Sequence, residues 1–266
     1  MSLSDPYAIR SPSGKINKVF SLLRESTISF NKIGTATVAN LAIIKNIRKF
    51  LVNTIYASTN QSPYVKSAIN EILKQYSKGS FILNVGSGNK RIVPHIKNLD
   101  ISTGENIDYT CDAKTIPIED NCVDLIITQE AFEHIPSPQK ALKECYRILK
   151  DGGKIYFQVP FIVGYHPGPT DFYRFTREGI ENFLSDVGFK VEKVEITRAG
   201  AFGFYYVAVE FFAILFSGPI SFLYIPSKGI FSVLLYPIKI FDFWFRLSKK
   251  RDRIPCGYYA IGKKIL

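Results

Sequence analysis

The chain has 266 residues, 46% of them hydrophobic and 14% aromatic, enough to bury one large core with additions or two small ones. Its net charge of +11 is uneven: +6 on residues 1–60, −2 on 61–197 and +7 on 198–266. Basic flanks, the C-terminal one rich in aromatics, around a nearly neutral centre suit an anionic membrane surface and argue against a nucleic-acid enzyme, which carries its positive charge around the catalytic groove.

Residues 1–60 form a basic extension with amphipathic stretches that Gly14 and Gly34 interrupt. No sustained apolar run marks a leader in the first twenty residues, so a cytosolic chain peripherally attached to the inner membrane face is expected. The first clear helix opens at Ser62-Pro63, with Val65, Ala68, Ile69, Ile72, Leu73 and Tyr76 on one face, and ends near Gly79. Strands follow at Phe81–Val85, near Asn98–Ile101, Ile107–Thr110 and Val123–Thr128. Then come a helix Pro138–Leu149 capped by Ser137 and stopped by Asp151-Gly152-Gly153, a strand Lys154–Val159, a helix capped by Thr176, a strand Phe189–Ile196 and a last strand Gly257–Ile261. Such alternation predicts a parallel sheet with crossover helices. Only Gly86 to Ile96 link the first two strands, so the first crossover helix must be very short. The division expected is 1–60, a core over 61–197, an apolar insertion over 198–250 and a final core strand within 251–266.

Polar residues fall at the carboxyl ends of successive strands, where an open α/β sheet places its site: Gly86 to Gly88, Asp100, Asp112, Gln129 with Glu130, and the stretch after Val159. Bare glycine backbone lets a ligand lie close, and a carboxylate at the next strand tip accepts two ribose hydroxyls. Four cysteines without a CxxC pair read as reduced thiols. Three widely spaced histidines, His95, His134 and His166, without HExxH argue against a bound metal, and none is expected.

The blocks Ile82-Leu83-Asn84-Val85-Gly86-Ser87-Gly88, Leu99-Asp100-Ile101, Cys111-Asp112-Ala113, Glu130-Ala131-Phe132-Glu133-His134-Ile135 and Arg147-Ile148-Leu149-Lys150-Asp151-Gly152-Gly153 together resemble class I S-adenosylmethionine-dependent methyltransferases. The resemblance covers about residues 62–197. It implies a doubly wound, mostly parallel, seven-stranded Rossmann-like α/β sheet that binds S-adenosyl-L-methionine. It also implies that Asn84, Gly86, Ser87 and Gly88 lie under the methionine part, Asp100 with Ile101 at the ribose, Asp112 with Ala113 at the adenine, and Gln129 with Glu130 beside the sulfonium and acceptor. Asn84 stands where the family usually has an acid, and Lys90 where it usually has a small residue. Glu133 is expected to be solvated at a helix entrance, and His134 to pack or cap.

The run from Pro160 to Thr176 looks like methyltransferases of surface-polysaccharide and lipid-linked glycan assembly. It makes His166 the expected base, Asp171 its orienter or substitute, and Tyr173 and Arg174 the acceptor contacts; a rigid loop in which Asp171 and Arg174 pair is the alternative. Residues 201–247 hold 15 of the chain's aromatics with only five charges and are broken by Gly218-Pro219. A monotopic hairpin or pair of interfacial helices at a membrane is expected, with a dimer interface or a lid over an apolar substrate as alternatives. The expected reaction is O-methylation of a small-molecule or lipid-linked glycan acceptor at the membrane surface, without nucleic acid. A prenylated quinone or other lipid acceptor, or a silent membrane adapter, are the competing readings.

Overall fold

Successive side chains of a strand take opposite faces, and along Ile82–Val85 (β1) this sends Ile82 into one apolar cluster and Leu83 with Val85 into another. Val123–Gln129 (β4) divides the same way, Leu125 and Ile127 against Ile126, and Leu149–Pro160 (β5) divides Tyr156 against Ile155 and Phe157. With β2 (Lys97–Asp100), β3 (Tyr109–Thr110), β6 (Phe189–Arg198) and β7 (Gly257–Lys264) they form a seven-stranded sheet in the order β3-β2-β1-β4-β5-β7-β6. Neighbours run parallel except at β7, which is antiparallel to both β5 and β6. The structure, a computed structural model, describes residues 62–168 and 170–265, so the expected 1–60 extension lies outside the described residues.

Helices cover both faces, as a doubly wound sheet requires. Helix α1 (Pro63–Leu73) buries Val65, Ala68, Ile69 and Ile72 on one face. On the other, α2 (Pro138–Ile148) buries Ala141, Leu142, Cys145 and Ile148, and α3 (Arg177–Ser185) buries Ile180 and Leu184. The expected caps divide. Thr176 Oγ1 accepts the Gly179 N–H at 3.0 Å, but the Ser62 hydroxyl donates to Thr197 O on β6 instead, and Ser137 makes no side-chain cap. A cap is worth about 1 kcal/mol and each fully buried Val or Ile roughly 1.5–3 kcal/mol, so burial decides where α1 and α2 sit.

Two further differences have physical causes. The β1–β2 link holds turns and no helix among the described residues; Arg91 organises it by donating to Ile96 O and Asn106 O and pairing with Asp108 at 2.8 Å. The Asp151-Gly152-Gly153 run, expected to stop a helix, lies within β5, where the pairing with β4 shifts register between Val123 and Leu125 and Gly152 takes φ +77°.

Residues 200–247 hold three helices, α4 (Gly200–Ser217), α5 (Tyr224–Leu234) and α6 (Asp242–Leu247), joined by short 3-10 turns. They pack with the sheet domain in one unit rather than apart from it. Asp242 accepts the N–H groups of Ala199 and Phe202 at the α4 N-terminus, and the Phe212 and Phe231 rings stack at 5.1 Å between α4 and α5. Arg246 lies over the Tyr64 ring at 3.3 Å, tying α6 to α1. Helix α4 is long and apolar enough, by length and composition, to cross a membrane, and half of it is buried in the protein.

Candidate active site

Strand order reverses at β1, between β2 and β4, and the crevice beyond the strand ends opens there. At the end of β1 the backbone turns through Gly86 (φ +68°) and Gly88 (φ +51°). A Cβ on Gly86 would stand 2.3 Å from the Ala131 Cβ, so only glycine lets the β1 turn pass the β4 turn. A Cβ on Gly88 would meet nothing within 4 Å; its bare backbone faces open space, where a ligand can approach.

Asp100 ends β2. Its Oδ2 accepts the Gly88 N–H at 2.8 Å and its Oδ1 the Ser102 N–H at 2.9 Å, which fixes the carboxylate and leaves lone pairs on both oxygens. Ile101 beside it is 69% exposed, an apolar side chain on the crevice lip. Asp112 accepts the Lys114 N–H and pairs with its ammonium at 3.3 Å, next to the half-buried Ala113. Asn84 is placed differently from its expected contact with a cofactor: it is buried, and its Nδ2 donates to Asn98 Oδ1 at 3.1 Å. Ser87 donates its hydroxyl to Gly88 O.

Gln129 and Glu130 end β4 on the other side of the crevice. Gln129 Nε2 donates to Gln158 Oε1, and Gln158 Nε2 reaches Glu130 Oε1 at 3.4 Å. Glu130 sits in the left-handed region at φ +52°, a strain of about 1–3 kcal/mol for a side-chain-bearing residue. Burial, then the nearby Glu133 carboxylate, pushes its carboxyl up to about 7, so it exchanges a proton near neutrality. It opens into a cavity of about 480 Å³ lined by Val163, Tyr165 and His166 from the loop after β5, by Tyr205 and Tyr206 of α4, and by Lys228 of α5.

Of the four residues expected to act from that loop, His166 alone lines the cavity. Its Nδ1 lies 2.9 Å from Gly164 O and its Nε2 3.8 Å from Glu133 Oε1; the facing carboxylate raises its pKa. Asp171 is 2% exposed, pairs with the Arg174 guanidinium through both oxygens, and accepts the His166 N–H at 2.9 Å. It orients the loop and is itself covered. Arg174 further donates to Val163 O and Gly164 O, and Tyr173 donates to Pro136 O. The Asp171–Arg174 pair is the arrangement expected as the alternative, and Tyr173 is tied to the turn before α2.

Glu133 corrects an expectation. Rather than being solvated, it is fully buried in a 3-10 turn, Phe132–His134, covered by the loop whose Phe172 N–H donates to its carbonyl at 2.8 Å. Sequence reasoning also missed Glu210 and Lys228, which line the cavity and pair with each other, the Tyr224 hydroxyl donating to Glu210. The available signal was a pair of charges isolated in an otherwise apolar segment, where burial demands a partner.

Residues 83–157 match the family described as Methyltransferase domain. Over 53 residues the chain is 38% identical to a ubiquinone biosynthesis O-methyltransferase of Coxiella burnetii, covering 20% of this chain and 23% of that protein. Over 116 residues it is 24% identical to a sarcosine/dimethylglycine N-methyltransferase of Halorhodospira halochloris, covering 35% and 42%. The chain thus spans about a quarter of the length of the first curated relatives it matches. Among solved structures, a methyltransferase of Bacillus halodurans aligns at 12% identity over 76% of this chain and 99% of its own, with a TM-score of 0.48.

Proposed function

We propose that this chain, whose residues 83–157 form a methyltransferase domain, is an S-adenosylmethionine-dependent enzyme that methylates a hydroxyl of an amphipathic lipid drawn from a membrane. The observation that carries the reading is the mostly apolar cavity between the loop after β5 and the inserted helices, with the Glu130 carboxyl, poised near pH 7, at its wall.

The crevice fits the cofactor. The bare Gly88 backbone, the fixed Asp100 carboxylate and exposed Ile101 would hold the nucleoside side, with Asp112 and Ala113 beyond. When bound, the cofactor supplies an electrophilic methyl on a sulfonium. Glu130 is the group that takes the acceptor's proton, because it is deprotonated for part of the time at neutral pH and still basic enough to hold a proton. His166, the base expected from sequence, directs its Nε2 toward the buried Glu133 carboxylate, 3.8 Å away, and serves the cavity wall. Asp171 keeps the loop in place through Arg174 and the His166 N–H.

The lipid part of the reading rests on the lining by Tyr205, Tyr206, Val209 and Val163, and on the surface of the same helices. Phe204, Phe211, Phe222, Phe243 and Trp244 are all exposed there, an aromatic surface suited to the membrane interface. The relatives named for ubiquinone biosynthesis support a prenylated ring as the acceptor class. A lipid-linked sugar is the second reading, favoured by the Glu210, Lys228 and Tyr224 cluster, which offers hydrogen-bonding groups to sugar hydroxyls.

The test is transfer of isotopically labelled methyl by the full chain to a prenylated catechol, to a polyprenyl-linked sugar and to the headgroup of each without its tail. Label in the prenylated catechol, with little in the free ring, is expected. Label in the sugar lipid alone replaces the first acceptor by the second. Label in neither, from a chain that binds the cofactor, contradicts both.

A further inference from the structure

Under the loop after β5, three side chains from two separate stretches of chain meet. Glu133 and His134 come from the turn after β4, and His166 from the loop itself. The Glu133 carboxylate is fully buried and neither of its oxygens accepts a hydrogen bond. A buried carboxylate without a counter-charge costs several kcal/mol, so its surroundings must supply a positive group.

The two imidazoles are presented in the same way. His134 Nδ1 hydrogen-bonds Thr170 O and His166 Nδ1 hydrogen-bonds Gly164 O at 2.9 Å. A carbonyl oxygen only accepts, so each ring carries its proton on Nδ1 and leaves a bare lone pair on Nε2. Arg174 Nη2 stands 3.2 Å from His166 Nδ1, with Gly164 O and Asp171 as its own acceptors. The two Nε2 atoms face Glu133 Oε1 at 3.6 and 3.8 Å. Three lone pairs thus converge with no donor between them. Imidazoles anchored by a backbone carbonyl through Nδ1 are oriented as metal-binding histidines are.

The ligand atoms all lie within 4.8 Å of one another. An ion equidistant from atoms so spaced comes no nearer than about 2.4 Å to each, in the plane of the three, so the ~2.0–2.2 Å that zinc takes from imidazole and carboxylate requires the side chains to close inward. Two imidazoles and one carboxylate select a first-row transition ion over magnesium or calcium, and three protein ligands leave one position open.

We propose that Glu133, His134 and His166 hold a divalent metal ion of the zinc class, with its open position toward the cavity that His166 lines. The site stands on its own geometry, whether or not the methyl-transfer reading holds. The competing occupant is a proton, shared between an imidazolium and Glu133.

The experiment strips the full-length chain with EDTA and titrates it with Zn²⁺ by calorimetry and with Co²⁺ by visible spectroscopy. One ion per chain is expected, with cobalt bands free of thiolate charge transfer, and affinity falling at least tenfold in Glu133→Gln and in His166→Ala. Circular dichroism checks both variants; if Glu133→Gln fails to fold, the half-exposed His166→Ala decides. Absence of saturable binding by wild type, or unchanged affinity in the folded variants, overturns the site.

Discussion

Glu130 concentrates the account at the scale of one residue. Its carboxyl is moved from an ordinary 4.5 to about 7, and its backbone is held in a conformation that side chains seldom adopt. As a general base it must lose its proton before it can accept one, so the transfer rate should rise with pH and level off above about 7. Glu130→Gln should lower the rate by roughly 10²–10⁴-fold. Stability should move the other way. The folded chain keeps the Glu130 proton between pH 4.5 and 7 where the unfolded chain releases it, so this group's contribution worsens as pH rises through that window. Thermal melts should therefore show Glu130→Gln gaining on wild type near pH 8 and losing that gain near pH 4.5; an unchanged difference across that range, or a flat pH–rate profile, would contradict the assignment. At this scale the sequence was uneven. Gly86, Gly88 and Asp100 were legible because a turn and a strand tip are local events. Glu133 was not, because its burial depends on a loop more than thirty residues away, and His134 and His166 meet only through the fold.

At the scale of elements, burial outranks local signals. Helix α1 lies where its apolar stripe packs although Ser62 gives its hydroxyl to β6, and the first crossover is made by Arg91 and turns because eleven residues are too few for a packed helix. Periodicity revealed the strands and three helices of the sheet domain, but it could not show which face of the insertion turns inward. The structure gives α4 both roles: Tyr205, Ala208 and Val209 are buried, while Phe204, Phe211 and Leu215 face out. Helix α6 and the turn before it expose Ile240, Phe243, Trp244 and Leu247, with Trp244 at 74%. Replacing Phe243, Trp244 and Leu247 together by serine should abolish sedimentation with anionic vesicles and leave cofactor binding unchanged, since none of the three is among the crevice residues around Gly88 and Asp100 or lines the cavity. Sedimentation equal to wild type would assign this face to a partner chain or to another copy.

For the whole molecule, a nearly neutral sheet domain is joined to a basic, aromatic segment, and the two share the wall of one cavity. On the proposed reading, that arrangement would let an acceptor pass from a lipid phase to Glu130 without crossing water. It depends throughout on the crevice at the β1 turn holding the cofactor. The most direct test is calorimetric titration of the full chain with S-adenosylhomocysteine. A charge-assisted hydrogen bond contributes about 1.5–3 kcal/mol, so saturable one-to-one binding is predicted, weakened at least tenfold by Asp100→Ala while the fold is retained. No binding by wild type, or equal affinity in the Asp100→Ala chain, would contradict the account.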